Sequence, residues 1–146
     1  MQEINVFVVD DHQIFLDGIV SLLDDEPNIK IAGTAHNGKQ AVERIKNSNV
    51  DLVLMDINMP EMDGIEATKQ LKKLNPDLKI LMLTMHSEPR FIKECLEIGA
   101  KGYVMKNISK DDLLKAIDTV YQDKSYLDQN SQETLLSSIS HADAED

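Results

Sequence analysis

Solid apolar runs alternate with amphipathic stretches along this chain. The runs are Ile4–Val9, Leu52–Met55, residues 80–83 and residues 103–105. Each is apolar at nearly every position rather than at every second one, which predicts strands covered on both faces, as in a parallel sheet. A weaker run, Ile29-Lys30-Ile31-Ala32, alternates apolar with polar or small residues and suits an edge strand.

Helical spacing fills the intervals. Phe15, Ile19, Leu22 and Leu23 form one stripe. Ala41 and Ile45 belong to a second, behind Asn37 and Gln40 at capping-box spacing. A third covers 65–74 and is stopped by Asn75-Pro76. Ile92, Cys95 and Leu96 make a fourth, with Gly99 where a C-terminal cap is wanted. Leu113, Ala116, Ile117 and Val120 make a fifth, opened by Ser109 with Asp112 three residues on. Five strand–helix repeats predict an open α/β sheet with right-handed crossovers, whose ligands bind at the carboxyl ends of the strands near the topological switch point. The repeats occupy residues 1–123. Residues 124–146 read as a polar C-terminal extension, with a short helix around 134–139 and a solvated tail ending in Asp143-Ala144-Glu145-Asp146.

Charge narrows the partners. Fifteen Lys and Arg against 26 Asp and Glu give a net charge of −11, and the arginines are Arg44 and Arg90 alone. Such a surface repels phosphate backbones, and a chain without Trp lacks a base-stacking platform, so direct nucleic-acid binding is disfavoured. The apolar runs are too short to cross a bilayer, and the N-terminus has no basic region of a secretory signal, leaving a cytoplasmic reading with no membrane. The single cysteine, Cys95, excludes a disulfide framework and a thiolate-rich zinc site.

The functional question becomes what stands at the strand ends. The first strand runs into Asp10-Asp11, the third into Asp56; the fourth ends at Thr84 and the fifth at Lys106. Singly, each has an ordinary explanation. Asp11 could cap a helix, Asp56 could open a turn ahead of Pro60 and Gly64, Thr84 could be a β-branched strand residue, and Lys106 a solvated lysine. Together they bring three carboxylates, a hydroxyl and an ammonium to one sheet edge. Three close carboxylates repel one another and push one pKa up unless a cation joins them. Hard oxygen ligands beside a place for phosphate suit Mg²⁺, or Mn²⁺ in its place. The histidines at 12, 36, 86 and 141 are scattered and read as surface or capping residues rather than ligands.

These residues sit in recognisable strings: Val8-Val9-Asp10-Asp11-His12, the run from Leu54 through Asp56, Asn58 and Pro60 to Gly64, Leu83-Thr84, and Gly99 through Gly102-Tyr103 to Lys106. Over residues 4 to about 122 the chain resembles the receiver domain of two-component response regulators. Asp17-Gly18, the non-proline Asn107 after the lysine, and Tyr126-Leu127 resemble the branch whose receivers precede LuxR-type (NarL-type) helix-turn-helix domains. The resemblance implies a flavodoxin-like (βα)5 fold, five parallel strands in the order 2-1-3-4-5. It implies that Asp56 accepts a phosphoryl group from a sensor histidine kinase. Asp11, Asp56 and the backbone carbonyl of Asn58 would ligate Mg²⁺ directly and Asp10 through water, while Lys106 pairs with a phosphoryl oxygen. Thr84 and Tyr103 would form the switch, remodelling a protein-binding face used for homodimer formation. Met85 stands where the family has a small residue and would narrow access to Asp56; His86 occupies a position that tunes hydrolysis of the acyl phosphate. Apart from self-catalysed phosphorylation and slow dephosphorylation, no enzymatic activity is expected.

Three rival readings remain. A phosphatase of the haloacid dehalogenase type would need a second carboxylate two residues after its nucleophile, where this chain has Asn58. A binding module that has lost phosphorylation would not need all five site positions filled. The third concerns extent: the chain stops where a linker would lie, so it reads as an excised receiver rather than a stand-alone one. DNA would then be reached only through an output domain outside these residues.

Overall fold

The structure, a computed structural model, describes residues 3–145, with side chains described as far as Ile139. Strands β1 (Ile4–Val9), β2 (Ile29–Ala35), β3 (Leu52–Met55), β4 (Lys79–Thr84), β5 (Gly102–Met105) and β6 (Tyr126–Leu127) form one sheet in the order β2-β1-β3-β4-β5-β6. All its pairings are parallel. Between the strands run α1 (Gln13–Asp24), α2 (Gly38–Ile45), α3 (Gly64–Leu74), α4 (Pro89–Glu97) and α5 (Lys110–Tyr121), and α6 (Gln129–Glu145) follows β6.

The solid runs divide their side chains between two cores. Along β1, Phe7 and Val9 join Val53, Met55, Ile80 and Met82 beneath α2, α3 and α4. Ile4, Val6 and Val8 face the other way, with Leu52, Leu54, Leu81 and Val104 beneath α1 and α5. Alternation between two apolar faces explains a run whose one polar position is Asn5.

Helix ends follow the local chemistry. Asn37 accepts the Gln40 N–H, Asp63 that of Glu66 and Ser109 that of Asp112, each a side-chain oxygen satisfying an otherwise orphaned donor. Gly99 closes α4 at φ 110°, a left-handed conformation that glycine adopts without a Cβ clash. The weak run forms β2 at one edge of the sheet, as its alternation predicts.

The sheet differs from the five-stranded expectation by one strand. The two-residue β6, too short to carry a hydrophobic period, adds to the edge at β5. The helix expected around 134–139 belongs to a longer one, α6, which continues through 143–145; Asp146, the end of the expected tail, lies outside the described residues.

Candidate functional site

Parallel strands put their carboxyl ends on one rim, and the chain order reverses between β1 and β3, which opens a crevice there. Just beyond the strands the ladder continues: the Asp56 N–H donates to the Val9 carbonyl at 3.1 Å, and the Lys106 N–H to the Thr84 carbonyl at 2.9 Å. Backbone pairing therefore aligns the residues after β1, β3 and β5 before any side chain acts.

The side chains converge. Lys106 Nζ lies 2.7 Å from Asp10 Oδ2 and 3.1 Å from Asp56 Oδ2. All three side chains are more than nine-tenths buried. The ammonium also sits 4.6 Å from the centre of the Phe15 ring, whose face attracts a cation. Burial, first, and the neighbouring Asp10 charge push the Asp56 carboxyl above its ordinary pKa, outweighing the attraction of Lys106 and the Ile57 N–H bond. Lys106 is held above its ordinary value by its bonds and charge contacts to Asp10 and Asp56, against the burial that opposes its charge.

Asp11 is the third carboxylate, about a quarter exposed at the mouth. It does not cap α1: the cap residue is His12, and its side chain bonds no helix N–H. Instead His12 Nδ1 lies 3.2 Å from Asp10 Oδ1 and 3.1 Å from Asp11 Oδ1. Ligand atoms of Asp10, Asp11, His12 and Asp56 all fall within 4.8 Å of one another. The donors are mainly carboxylate oxygens, strongly negative and already drawing in one cation, Lys106. Such a set fits a hard divalent ion such as Mg²⁺ or Mn²⁺. Nothing in the hydrophobic pattern singled out His12; its adjacency to the Asp pair was the available signal.

The remaining predicted residues fall around this core. Thr84 is fully buried at the end of β4, and its hydroxyl accepts the His86 N–H at 3.1 Å. Tyr103 is turned inward and fully buried, its hydroxyl donating to the His86 carbonyl. His86 thus ties Thr84 to Tyr103 through its own backbone, a link the sequence pattern does not display. Met85 is 70% exposed. The Asn58 side chain is exposed, and among the described residues no hydrogen bond ends on its carbonyl. A cavity of about 540 Å³ lies at the opposite end of the strands, among Asp51, Asp77, Lys79 and Tyr121, away from all of these groups.

Comparison with known proteins shows the family. Residues 6–118 match the response regulator receiver domain family, and the chain belongs to it. Among curated relatives, it is 37% identical over 125 residues to the transcriptional regulatory protein DegU of Brevibacillus brevis, covering 86% of this chain and 53% of that one. It is 38% identical over 137 residues to the response regulator UvrY of Escherichia coli K12, covering 93% of this chain and 63% of that one. The chain thus spans between half and two-thirds of the length of these relatives. Among solved structures, a LuxR-family two-component response regulator from Aurantimonas superposes with TM-score 0.89 at 26% identity, covering 94% of this chain and 98% of that one. The isolated receiver domain of RcsB from Salmonella enterica, solved with the phosphomimetic BeF3−, superposes with TM-score 0.84 at 26% identity, covering 92% and 99%. The chain is a receiver domain related to the LuxR/NarL-type regulators. Among the described residues, no helix is long and apolar enough to cross a membrane.

Proposed function

We propose that Asp56 accepts a phosphoryl group from the phosphohistidine of a sensor histidine kinase. The observation that carries this reading is the buried contact of Lys106 with both Asp10 and Asp56, beside Asp11, on one rim of the sheet. An Asp56 oxygen attacks phosphorus in line. The new P–O bond forms as the P–N bond breaks, and the electron pair leaves on the imidazole nitrogen.

The obstacle is charge: a carboxylate must approach a phosphoryl group. Asp11, Asp56 and the Asn58 carbonyl would hold Mg²⁺, with Asp10 acting through water, and the bound ion supplies charge neutralisation and alignment of the phosphoryl oxygens. Burial and Asp10 make the Asp56 charge unfavourable, so cation binding and Asp56 ionisation favour each other. Lys106 is near enough to follow the transferred group and pair with one of its oxygens. Thr84, buried at the next strand end, accepts one bond from His86 and keeps its own proton to donate.

Phosphorylation adds about −1.5 to −2 charge and three acceptor oxygens. Thr84 and Tyr103 respond through the His86 backbone that joins them, and the surface of α4 and α5, with β6 and α6 covering the edge of β5 between them, carries the change to partners, including a second copy of the chain. In a full-length regulator of the LuxR type, a DNA-binding domain would follow and transcription would be the output. The setting is the cytoplasm, and the activity is signalling rather than turnover of a substrate.

The test is labelling with a small phosphodonor, with and without Mg²⁺, followed by intact mass of wild type and Asp56→Asn. Addition of one phosphoryl group that requires both the metal and Asp56 supports the reading. Labelling that survives Asp56→Asn unchanged overturns it.

A further inference from the structure

The C-terminal arm, β6 and α6, is fastened to the strand that delivers Lys106. The Asp128 N–H donates to the Tyr103 carbonyl at 3.3 Å. One Asp128 carboxylate oxygen accepts the Met105 N–H at 2.6 Å, and the other accepts the Ser131 N–H in the first turn of α6 at 2.8 Å. One side chain therefore starts the helix and grips β5 one residue before Lys106.

Tyr103 is held from two directions. Its carbonyl takes the arm's N–H, and its hydroxyl donates to His86 in the loop after β4. The arm thus docks on the arrangement in which Tyr103 is inward and the β4–α4 loop is drawn to it.

The docking is balanced rather than firm. Leu127 and Leu135 pack against the core that contains Tyr103, and Lys93 Nζ donates to Ser138 Oγ at 2.9 Å. Leu136 remains largely exposed and Ile139 about half exposed. Ser131 is fully buried, and its hydroxyl has no hydrogen-bond partner among the described residues, which opposes the seat because the same hydroxyl is hydrated when the arm lifts.

We propose that Asp128 is a positioning residue that couples docking of the C-terminal arm to the phosphoryl-acceptor site. The arm and a phosphoryl group at Asp56 stabilise the same inward arrangement of Tyr103, so each strengthens the other. The proposal rests on the phosphoryl-acceptor reading above. Coupling of this kind is reciprocal, which fixes the sign of both effects.

The experiment uses the whole chain with Mg²⁺ and beryllofluoride as the phosphoryl mimic. Amide exchange of α6 is measured with and without the mimic, and the mimic's affinity by calorimetry. In wild type, the mimic should slow exchange across 132–139. Asp128→Ala should weaken the mimic about fivefold or more and abolish the protection. Asp128→Asn, which keeps one acceptor oxygen of two, should fall between. Ser131→Ala, which removes the orphan hydroxyl, should move both readouts the opposite way, so the test does not depend on a loosened variant. Unchanged α6 exchange, together with wild-type affinity in Asp128→Ala, would overturn the coupling while leaving the acceptor reading intact. Failure of wild type to bind the mimic, or binding that ignores Asp56→Asn, would instead remove the acceptor reading and this proposal with it.

Discussion

Lys106 and Asp56 meet at 3.1 Å inside a rim where both side chains are nearly sealed from water, and Asp10 shares the same ammonium at 2.7 Å. The lysine is therefore the resident counter-charge of two buried carboxylates. Removing one member of a buried pair leaves the other uncompensated, at about 3–5 kcal/mol. Lys106→Met should lose stability of that order in chemical denaturation. Mg²⁺ should restore more of it than it adds to wild type, because the ion meets the same two acids without a competitor. Equal Mg²⁺ stabilisation of both proteins would contradict this arrangement.

A pH dependence follows from the raised Asp56 carboxyl. The folded state holds this proton more tightly than the unfolded chain, so it binds more protons between the two pKa values. Stability should fall as pH rises from the ordinary carboxylate range through the raised folded value. Asp56→Asn should flatten that fall. At neutral pH, Mg²⁺ at a hundred times its dissociation constant should stabilise wild type by about 2.7 kcal/mol and Asp56→Asn by much less. Thermal melts across pH, with and without the ion, read all three effects.

The rim acids were legible before any coordinates because a buried parallel strand must end abruptly. Asp10, Asp56 and Lys106 each follow an unbroken apolar run, so the boundary between core and rim is written in hydropathy. The arm was legible only in part: the helix expected around 134–139 lies inside α6, but the strand before it was not. β6 has only two residues, and its pairing is carried by backbone groups that any sequence offers. The same holds for the His86 bridge, which uses only the backbone N–H and carbonyl of that residue. His12 was read as a surface or capping residue and does stand exposed at the N-cap position of α1, but a helix-start histidine has no periodic signature, and only its distance to Asp10 and Asp11 shows what it faces.

Gly64 controls the approach of α3 to the acceptor. Its N–H bonds the Ile57 carbonyl at 2.7 Å, and a Cβ there would overlap the Asp56 carbonyl oxygen outright and come within 2.8 Å of the carbonyl carbon. The obstacle is backbone, which cannot swing aside as a side chain can. Gly64→Ala should therefore cost about 1–3 kcal/mol, as overpacking does, and shift the Asp56 carboxylate enough to slow phosphodonor labelling. Wild-type stability and labelling in this variant would show that the segment yields freely.

Met85 offers a test that leaves the fold alone. Its side chain is largely in solvent, so Met85→Ala should change stability by no more than about 0.5 kcal/mol. If the side chain narrows the way to Asp56, acetyl phosphate should label the variant faster while transfer from a cognate kinase is unchanged. Identical labelling rates would remove the access role.

The Tyr103 hydroxyl separates ring packing from loop restraint. The ring fills the core beneath α4, while the hydroxyl donates to the His86 carbonyl, whose own N–H bonds Thr84. Tyr103→Phe keeps the first and removes the second. It should lose about 0.5–1.5 kcal/mol, the net worth of one hydrogen bond, whereas Tyr103→Ala should lose about 3–5 kcal/mol by emptying the core. The decisive reading is local. Amides of the loop after Thr84 should exchange faster in Tyr103→Phe than in wild type, because the carbonyl that anchored the loop has lost its donor. If loop exchange is unchanged although the stability loss is found, then the hydroxyl contributes to the core but does not hold the loop, and Thr84 must be positioned by the His86 N–H alone.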